Sequence, residues 1–374
     1  MIIVGSGPAG ATLAYELANS GVAVLVIDKA IFPRAKCCGG GVTFRASNLI
    51  GEIPADITED TVSNAIFSFS GSSIFNGNYS NTLIKTVDRK KFDHFLVQRA
   101  EKAGAAIVQG TAVTNLQSLN SHVEVTTNQG IFRAQYVVGA DGSRSIVSKH
   151  MNNLNQERFI GIETEVQVED TEMEKWKSRI LIDMGWTPKG YAWLFPKKDH
   201  LSIGVGAPVQ KASILKKAYW QFLKSLIPGQ YQVKSWSAGI IPMSKGKPQV
   251  VSGRIALLGD AAGLADPLTG EGIGNALLSA RLAAPAIKNA VQYEVSRLQT
   301  YQTAVEEKIV PEIEAARFLS KVIYSVPKKL IDLAKHDGRL WNAGCALVRG
   351  ETSYMAIKGR VGTLKGLYTI LRGE

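Results

Sequence analysis

Cysteine is scarce in this sequence: three in 374 residues, with Cys37 and Cys38 adjacent and Cys345 alone. Three cannot build a disulfide framework, and adjacent cysteines bridge each other only with strain, so the chain reads as one for a reducing, cytoplasmic compartment. No Cys-x-x-Cys pair and no histidine-rich spacing is present, which argues against a structural zinc or iron–sulfur site, and no metal is expected. Long apolar runs are missing as well. None reaches the roughly 18 residues a spanning helix needs, and Met1-Ile2-Ile3-Val4 is too short for a signal peptide. Nothing is expected to cross a membrane.

What is present is ordinary globular composition, 45% hydrophobic and 20% charged, with 36 glycines that imply many tight turns or ligand-facing loops. The length exceeds that at which a single core stops growing, so more than one lobe is expected. Net charge is +11, and from Lys321 to Glu374 ten Lys/Arg stand against four Asp/Glu. That asymmetry favours an anionic surface or substrate, with a solvated basic face as the plain alternative. The basic residues follow no recognised nucleic-acid-binding module, so no nucleic acid partner is expected.

The N-terminus carries the first motif. Met1 to Val4 reads as a buried strand, Gly5-Ser6-Gly7-Pro8-Ala9-Gly10 as a tight turn, Ala11 to Asn19 as a helix, and Val22 to Ile27 as a second strand ending at Asp28. In such a dinucleotide-binding turn the first glycine makes the bend, the second lets the backbone approach a pyrophosphate, and the third packs helix on strand. The helix start then faces the phosphates with unpaired N–H groups. Asp28, 18 residues after Gly10, would accept ribose hydroxyls and disfavour a 2′-phosphate; Lys29 beside it joins the candidate set. The first strand is a residue or two short at its start, which points to a clipped N-terminus.

Two further motifs turn a dinucleotide site into a flavin site. Tyr136 to Ala140 reads as a strand followed by Asp141-Gly142-Ser143-Arg144-Ser145, and Arg254 to Leu258 as another followed by Gly259-Asp260-Ala261-Ala262-Gly263. Each places an aspartate at a strand's C-terminal end, where open α/β sheets bind ligands. Asp260 would bind ribitol hydroxyls. The stretch through Gly270, Gly272, Ile273 and Gly274 would open a helix toward the pyrimidine edge, where its dipole favours the reduced ring. Ordinary strand-to-helix turns are the alternative for either motif alone.

Between these segments, Phe159–Val168, Ser178–Asp183, Tyr191–Pro196 and Leu201–Val205 alternate as strands of an antiparallel sheet expected to cap the flavin. Tyr191 and Trp193 fall on one face of their strand, Ala192 and Leu194 on the other. The aromatic face suits an apolar substrate; sheet core is the competing use. Helices follow over Ser279–Asn289, Val291–Ser325 and Lys328–Leu347. Lys358–Arg372 mixes Val361, Leu364, Leu367, Tyr368 and Leu371 with basic residues, as in an amphipathic helix that lies on an anionic membrane or packs on its own protein.

GSGPAG, GADGSRS and LLGDAAGLADPLTGEGIGNAL together resemble the FAD-dependent monooxygenase superfold. Within it, PRAKCCGGG and GYAWLFPKKDHLSIGVG resemble the geranylgeranyl reductase family over roughly Met1 to Leu298. The resemblance implies an α/β fold: a Rossmann-like FAD-binding domain in two parts (1–150 and 251–298), an inserted antiparallel-sheet substrate lobe (151–250) and a C-terminal helical region (299–374). It implies an FAD-dependent oxidoreductase that reduces double bonds of a polyprenyl lipid or diphosphate. The electron donor would be external, NAD(P)H or a ferredoxin-like small redox protein. A peripheral membrane contact fits a lipid substrate.

Family members usually have Lys-Pro-Cys-Gly-Gly where this chain has Lys36-Cys37-Cys38-Gly39-Gly40, so Cys38 takes the family cysteine's place and Cys37 a common proline's. By this resemblance the loop Cys38 to Gly41 passes the isoalloxazine ring, with Gly39, Gly40 and Gly41 free of side-chain clash. Cys38 would supply the second proton or pack beside the flavin, and Cys37 would be structural. Arg34 and Arg89 would meet the FAD phosphates. An oxygen-using flavin hydroxylase or epoxidase of the same fold is the alternative activity. Flavin halogenases, with Trp-x-Trp-x-Ile-Pro, are disfavoured by Tyr191 and Phe195. A flavin-binding subunit without turnover is disfavoured by intact Gly5, Gly7 and Gly272.

Overall fold

The computed structural model describes residues 1–153, 155–293 and 298–361. They form two compact units, one from residues 1–35, 89–157 and 241–314, the other from 36–88, 158–240 and the chain from 315 onward. This division interleaves the chain more finely than linear cuts at 150, 250 and 298. Residues 36–88 join the second unit because Asn64–Phe69 pairs in parallel with Arg179–Asp183.

The first unit holds a six-stranded sheet in the order Val251–Ser252, Ile255–Leu257, Val137–Gly139, Ile2–Val4, Leu25–Ile27 and Ala106–Val108. All pairs are parallel except the first, with Ile3 opposite both Val138 and Val26. Strands buried on both faces must be apolar throughout, and Ile2–Val4, Val137–Gly139 and Ile255–Leu257 are wholly buried. Helix Pro8–Ala18 begins earlier than expected because proline suits a helix's first position, where its missing N–H has no partner to lose. Helix Ile273–Gln292 packs Leu277, Ala280 and Ile287 into the same core.

The second unit is built on a seven-stranded sheet in the order Tyr231–Ser244, Gln156–Val168, Leu201–Pro208, Tyr191–Pro196, Arg179–Asp183, Asn64–Phe69 and Ser72–Asn78. The expected strands are present with antiparallel pairing among the central ones. Ala192, Leu194, Leu201, Ile203 and Val205 pack against Leu215, Tyr219, Phe222 and Leu223 of helix Ala212–Leu226. That helix adds to the sheet expected across 151–250; its apolar positions recur at helical spacing. A smaller antiparallel sheet joins Gly41–Thr43, Ile84–Val87 and Thr58–Val62.

The long helices expected after residue 290 are divided. Gln299–Lys308 and Val310–Ser325 are separate, since Pro311 fits only a first turn. Pro327–His336 and Gly338–Arg349 part at Asp337, whose carboxylate accepts the Arg339 N–H at 2.9 Å as a cap. Of the expected amphipathic segment Lys358–Arg372, residues 358–361 end helix Tyr354–Val361 and the remainder lies outside the described residues. Among the described residues no helix is long and apolar enough to cross a membrane.

Candidate functional site

In the first unit the three motifs converge. A Cβ on Gly5 would meet Ala140 O at 2.5 Å and Asp141 Cα at 2.8 Å, and Gly10 sits against the Gly5 backbone, so neither position admits a side chain. Gly259 stands near Ala9 and Ala276, and Gly272 near Asp260 Oδ1. Gly7 differs: a Cβ there would meet only Arg34 Nη2, at 3.6 Å. The backbone is therefore open at Gly7 and Pro8, where helix Pro8–Ala18 starts with no side-chain cap. That is the arrangement a pyrophosphate needs.

Asp28 does more than wait for a ribose. It is buried, and its Oδ2 accepts the Ser6 N–H at 2.6 Å and the Ser6 hydroxyl at 2.8 Å, while Oδ1 accepts the Ala30 N–H at 2.8 Å. Asp28 thus holds the turn's shape. Lys29 is exposed.

Arg34 and Arg89 meet at Asp93, a fully buried carboxylate that the sequence reading passed over. Arg89 grips it with two bonds of 2.8 and 2.9 Å, and Arg34 Nη2 lies 3.1 Å from it. Arg89 thus makes a bidentate ion pair with Asp93. Arg34 Nη1, by contrast, is buried with no hydrogen-bond partner, beside the open face of Gly7. A buried donor left unmade is costly unless something fills it, and an anion at Gly7 would. The pattern VDRKKFD, with Asp93 four residues after Arg89, was the signal available.

Asp141 Oδ2 accepts the Ile146 N–H at 2.7 Å at the start of helix Ile146–His150, whose N-cap is Ser145, and Asp141 Oδ1 is buried without a partner. Burial pushes its carboxyl above the usual range, against the lowering bonds from Ser145 and Ile146. The segment before helix Ile273–Gln292 is closed by buried Asp266, whose Oδ1 accepts the N–H groups of Leu268 and Thr269 and whose carbonyl accepts that of Gly270. Gly272 then opens the helix with no side-chain cap, and Ile273 and Gly274 are buried behind it. Donors at the turn, an open backbone and uncapped helix starts fit FAD.

The second unit brings Gly39 and Gly41 of the loop Cys38 to Gly41 against the aromatic strand. A Cβ on Gly39 would meet Phe195 at 2.7 Å and Trp193 Nε1 at 3.2 Å, and one on Gly41 would meet Phe195 at 2.9 Å. Gly40 has φ +69°, a left-handed conformation that suits glycine. Two buried charges fix this loop, and the sequence reading named neither. Glu163 Oε1 accepts the Cys38 N–H at 3.3 Å, and Lys197 Nζ donates to Gly39 O and Val87 O, each at 2.8 Å. Burial, then the charge of Glu163, pushes the Cys37 thiol up to about 12 despite a hydrogen bond from Ser237.

Tyr191, Trp193 and Phe195 share the half-buried face of their strand, Tyr191 and Trp193 edge to face at 5.9 Å, while Ala192 and Leu194 take the core side. Phe195 also packs against the core cluster of Val62, Ala65, Leu83 and Ile84. The Trp193 indole lies across Gly161, Gly204 and Gly206 on the neighbouring strands; a side chain at Gly204 would displace it and one at Gly161 would crowd it. Its Nε1 is buried without a hydrogen-bond partner. The alternation Gly204, Gly206 in LSIGVG was the legible sign of this floor.

Residues 1–309 match the family described as FAD binding domain. The chain is 30% identical to a chloroplastic geranylgeranyl diphosphate reductase of Oryza sativa, over 86% of this chain and 74% of that one. It is 27% identical to a digeranylgeranylglycerophospholipid reductase of Methanocella arvoryzae, over 90% of each. Among solved structures, a geranylgeranyl bacteriochlorophyll reductase-like protein of Thermoplasma acidophilum superposes with a TM-score of 0.80 at 23% identity, covering 90% of this chain and 91% of that one.

Proposed function

The chain belongs to the geranylgeranyl reductase family of FAD-dependent oxidoreductases, and on that premise we propose that it reduces carbon–carbon double bonds in a polyisoprenoid lipid or diphosphate. The observation that carries this reading is the packing of Gly39 and Gly41, in the loop that bears Cys38, against the Trp193 and Phe195 face. A prenyl chain offers no hydrogen bonds and must be held by shape and burial, which an aromatic face on a flat glycine floor provides. FAD, when bound, supplies hydride. Arg34 and the open backbone at Gly7 would hold its phosphates, with Asp28 keeping the turn in shape. Asp141, Asp260 and the helix start at Gly272 would complete its site.

Cys38 would give the proton that the second alkene carbon needs. The electrons come from an external donor, NAD(P)H or a ferredoxin-like protein drawn to the basic surface, and a lipid substrate calls for a peripheral membrane contact. The test is anaerobic: reduce the flavin with dithionite, add a geranylgeranyl lipid or diphosphate, and follow the oxidised-flavin absorbance. Its return without oxygen is the expected result. A flavin that stays reduced until air is admitted would overturn the reading in favour of an oxygen-using activity.

A further inference from the structure

The Gly39–Gly40 peptide group is bonded at both ends. Its N–H, on Gly40, donates to Cys38 Sγ at 3.4 Å; its carbonyl, on Gly39, accepts from Lys197 Nζ at 2.8 Å. Lys197 is 5% exposed and is itself anchored on Val87 O at 2.8 Å, while the Val87 N–H returns to Gly40 O at 2.9 Å. Rotation of that one peptide would therefore take the N–H off the sulfur and the carbonyl off the ammonium together. The sulfur is also held from the other side of its own residue, because the Cys38 N–H is on Glu163 Oε1.

A buried ammonium among backbone carbonyls carries a desolvation cost that a packing role alone does not require. Its effect is on the peptide it touches: a cation on the carbonyl polarises the amide and strengthens the N–H as a donor to sulfur. We propose that Lys197 is a positioning residue for Cys38, acting through the Gly39–Gly40 peptide to fix the thiol with a sulfur lone pair on the Gly40 N–H and the S–H hydrogen free for transfer. This rests on the reading of Cys38 as proton donor. In that step hydride joins one alkene carbon, the Cys38 S–H bond breaks, its hydrogen forms the C–H bond on the neighbouring carbon, and the thiolate regains a proton from water.

The experiment compares Lys197→Met and Lys197→Gln, each alone and combined with Cys38→Ala, in FAD-loaded protein whose fold is checked by circular dichroism. One readout is the anaerobic rate at which a geranylgeranyl lipid reoxidises the flavin. Lys197→Met should slow it by about 10- to 100-fold, the loss of a hydrogen bond to a charged group, with Lys197→Gln, which keeps a neutral donor, slowed less. Neither should slow the Cys38→Ala protein further, since residues acting as a unit are not additive. The other readout is iodoacetamide labelling of Cys38, mapped by peptide mass against Cys345, whose rate should change about fivefold or more with that hydrogen bond. Equal slowing with and without Cys38, or unchanged labelling, overturns the proposal. If the wild-type flavin is not reoxidised by the lipid at all, the reductase reading fails and the labelling arm alone decides the role of Lys197.

Discussion

The two units treat buried cations in opposite ways. In the first, Arg34 and Arg89 share one carboxylate, Asp93, and Arg34 keeps a buried N–H without a partner. In the second, Lys197 meets two backbone carbonyls of its own unit and Glu163 meets the Cys38 N–H. The glycines divide likewise. Gly7 leaves backbone open to a ligand, whereas Gly161, Gly204 and Gly206 are covered by the Trp193 indole. The first unit leaves Arg34 Nη1 beside an open backbone at Gly7, which suits a charged cofactor; the second turns Lys197 on its own backbone and lays an aromatic face over glycines, which suits an apolar chain.

The comparison breaks most readily at Arg89. Arg89→Ala strips the bidentate partner from a fully buried carboxylate and should cost about 3–5 kcal/mol of stability. A chemical melt that hardly moves, with FAD affinity lost instead, would mean that Arg89 serves the cofactor. Gly204→Ala pushes into the Trp193 ring and should cost about 1–3 kcal/mol, with prenyl turnover falling and FAD content kept. Loss of FAD content in that variant would erase the division of labour. Arg34→Ala should weaken FAD binding by about 10- to 100-fold in titration calorimetry, the loss of a hydrogen bond to a charged group, while leaving turnover at saturating FAD near wild type.

The smallest effect belongs to His200. Partial burial works against its charged form, but hydrogen bonds to Glu165 and Asp199 outweigh it and raise its pKa. A raised histidine stabilises the fold below its ordinary value of about 6.5 and loses that contribution as pH rises through the folded value. His200→Gln should therefore cost on the order of 0.2–1 kcal/mol near pH 6, as half-exposed pairs do, and nothing at pH 9. Melts at the two pH values check the sign.

Much of the first unit was legible because its chemistry is local: Gly5 to Gly10, Asp141 and Asp260 each sit in a strand-turn-helix that a short window contains. The period-2 face of Tyr191 and Trp193 was legible for the same reason. What escaped was set by distant residues. The bonds from Ser6 to Asp28 span 22 positions, so no short window shows that Asp28 also holds the turn. Lys197 lies 158 positions from Gly39, so no local pattern connects them. Helix Ala212–Leu226 had its spacing in plain view but lay inside a region read as sheet.

The strand order of the six-stranded sheet carries a consequence for synthesis. Ile255–Leu257 pairs with Val137–Gly139, so that strand's second edge stays unpaired until more than a hundred further residues are made. At about 5–20 residues per second the nascent chain waits on the order of ten seconds with that edge exposed. Nascent chains stalled near residue 250 should be cleaved by protease within residues 1–150, and chains stalled well past 314 should resist; equal resistance would mean the sheet closes without its late strand. Until then, the ribosome carries a half-made sheet whose open edge is a target for chaperones and for other chains.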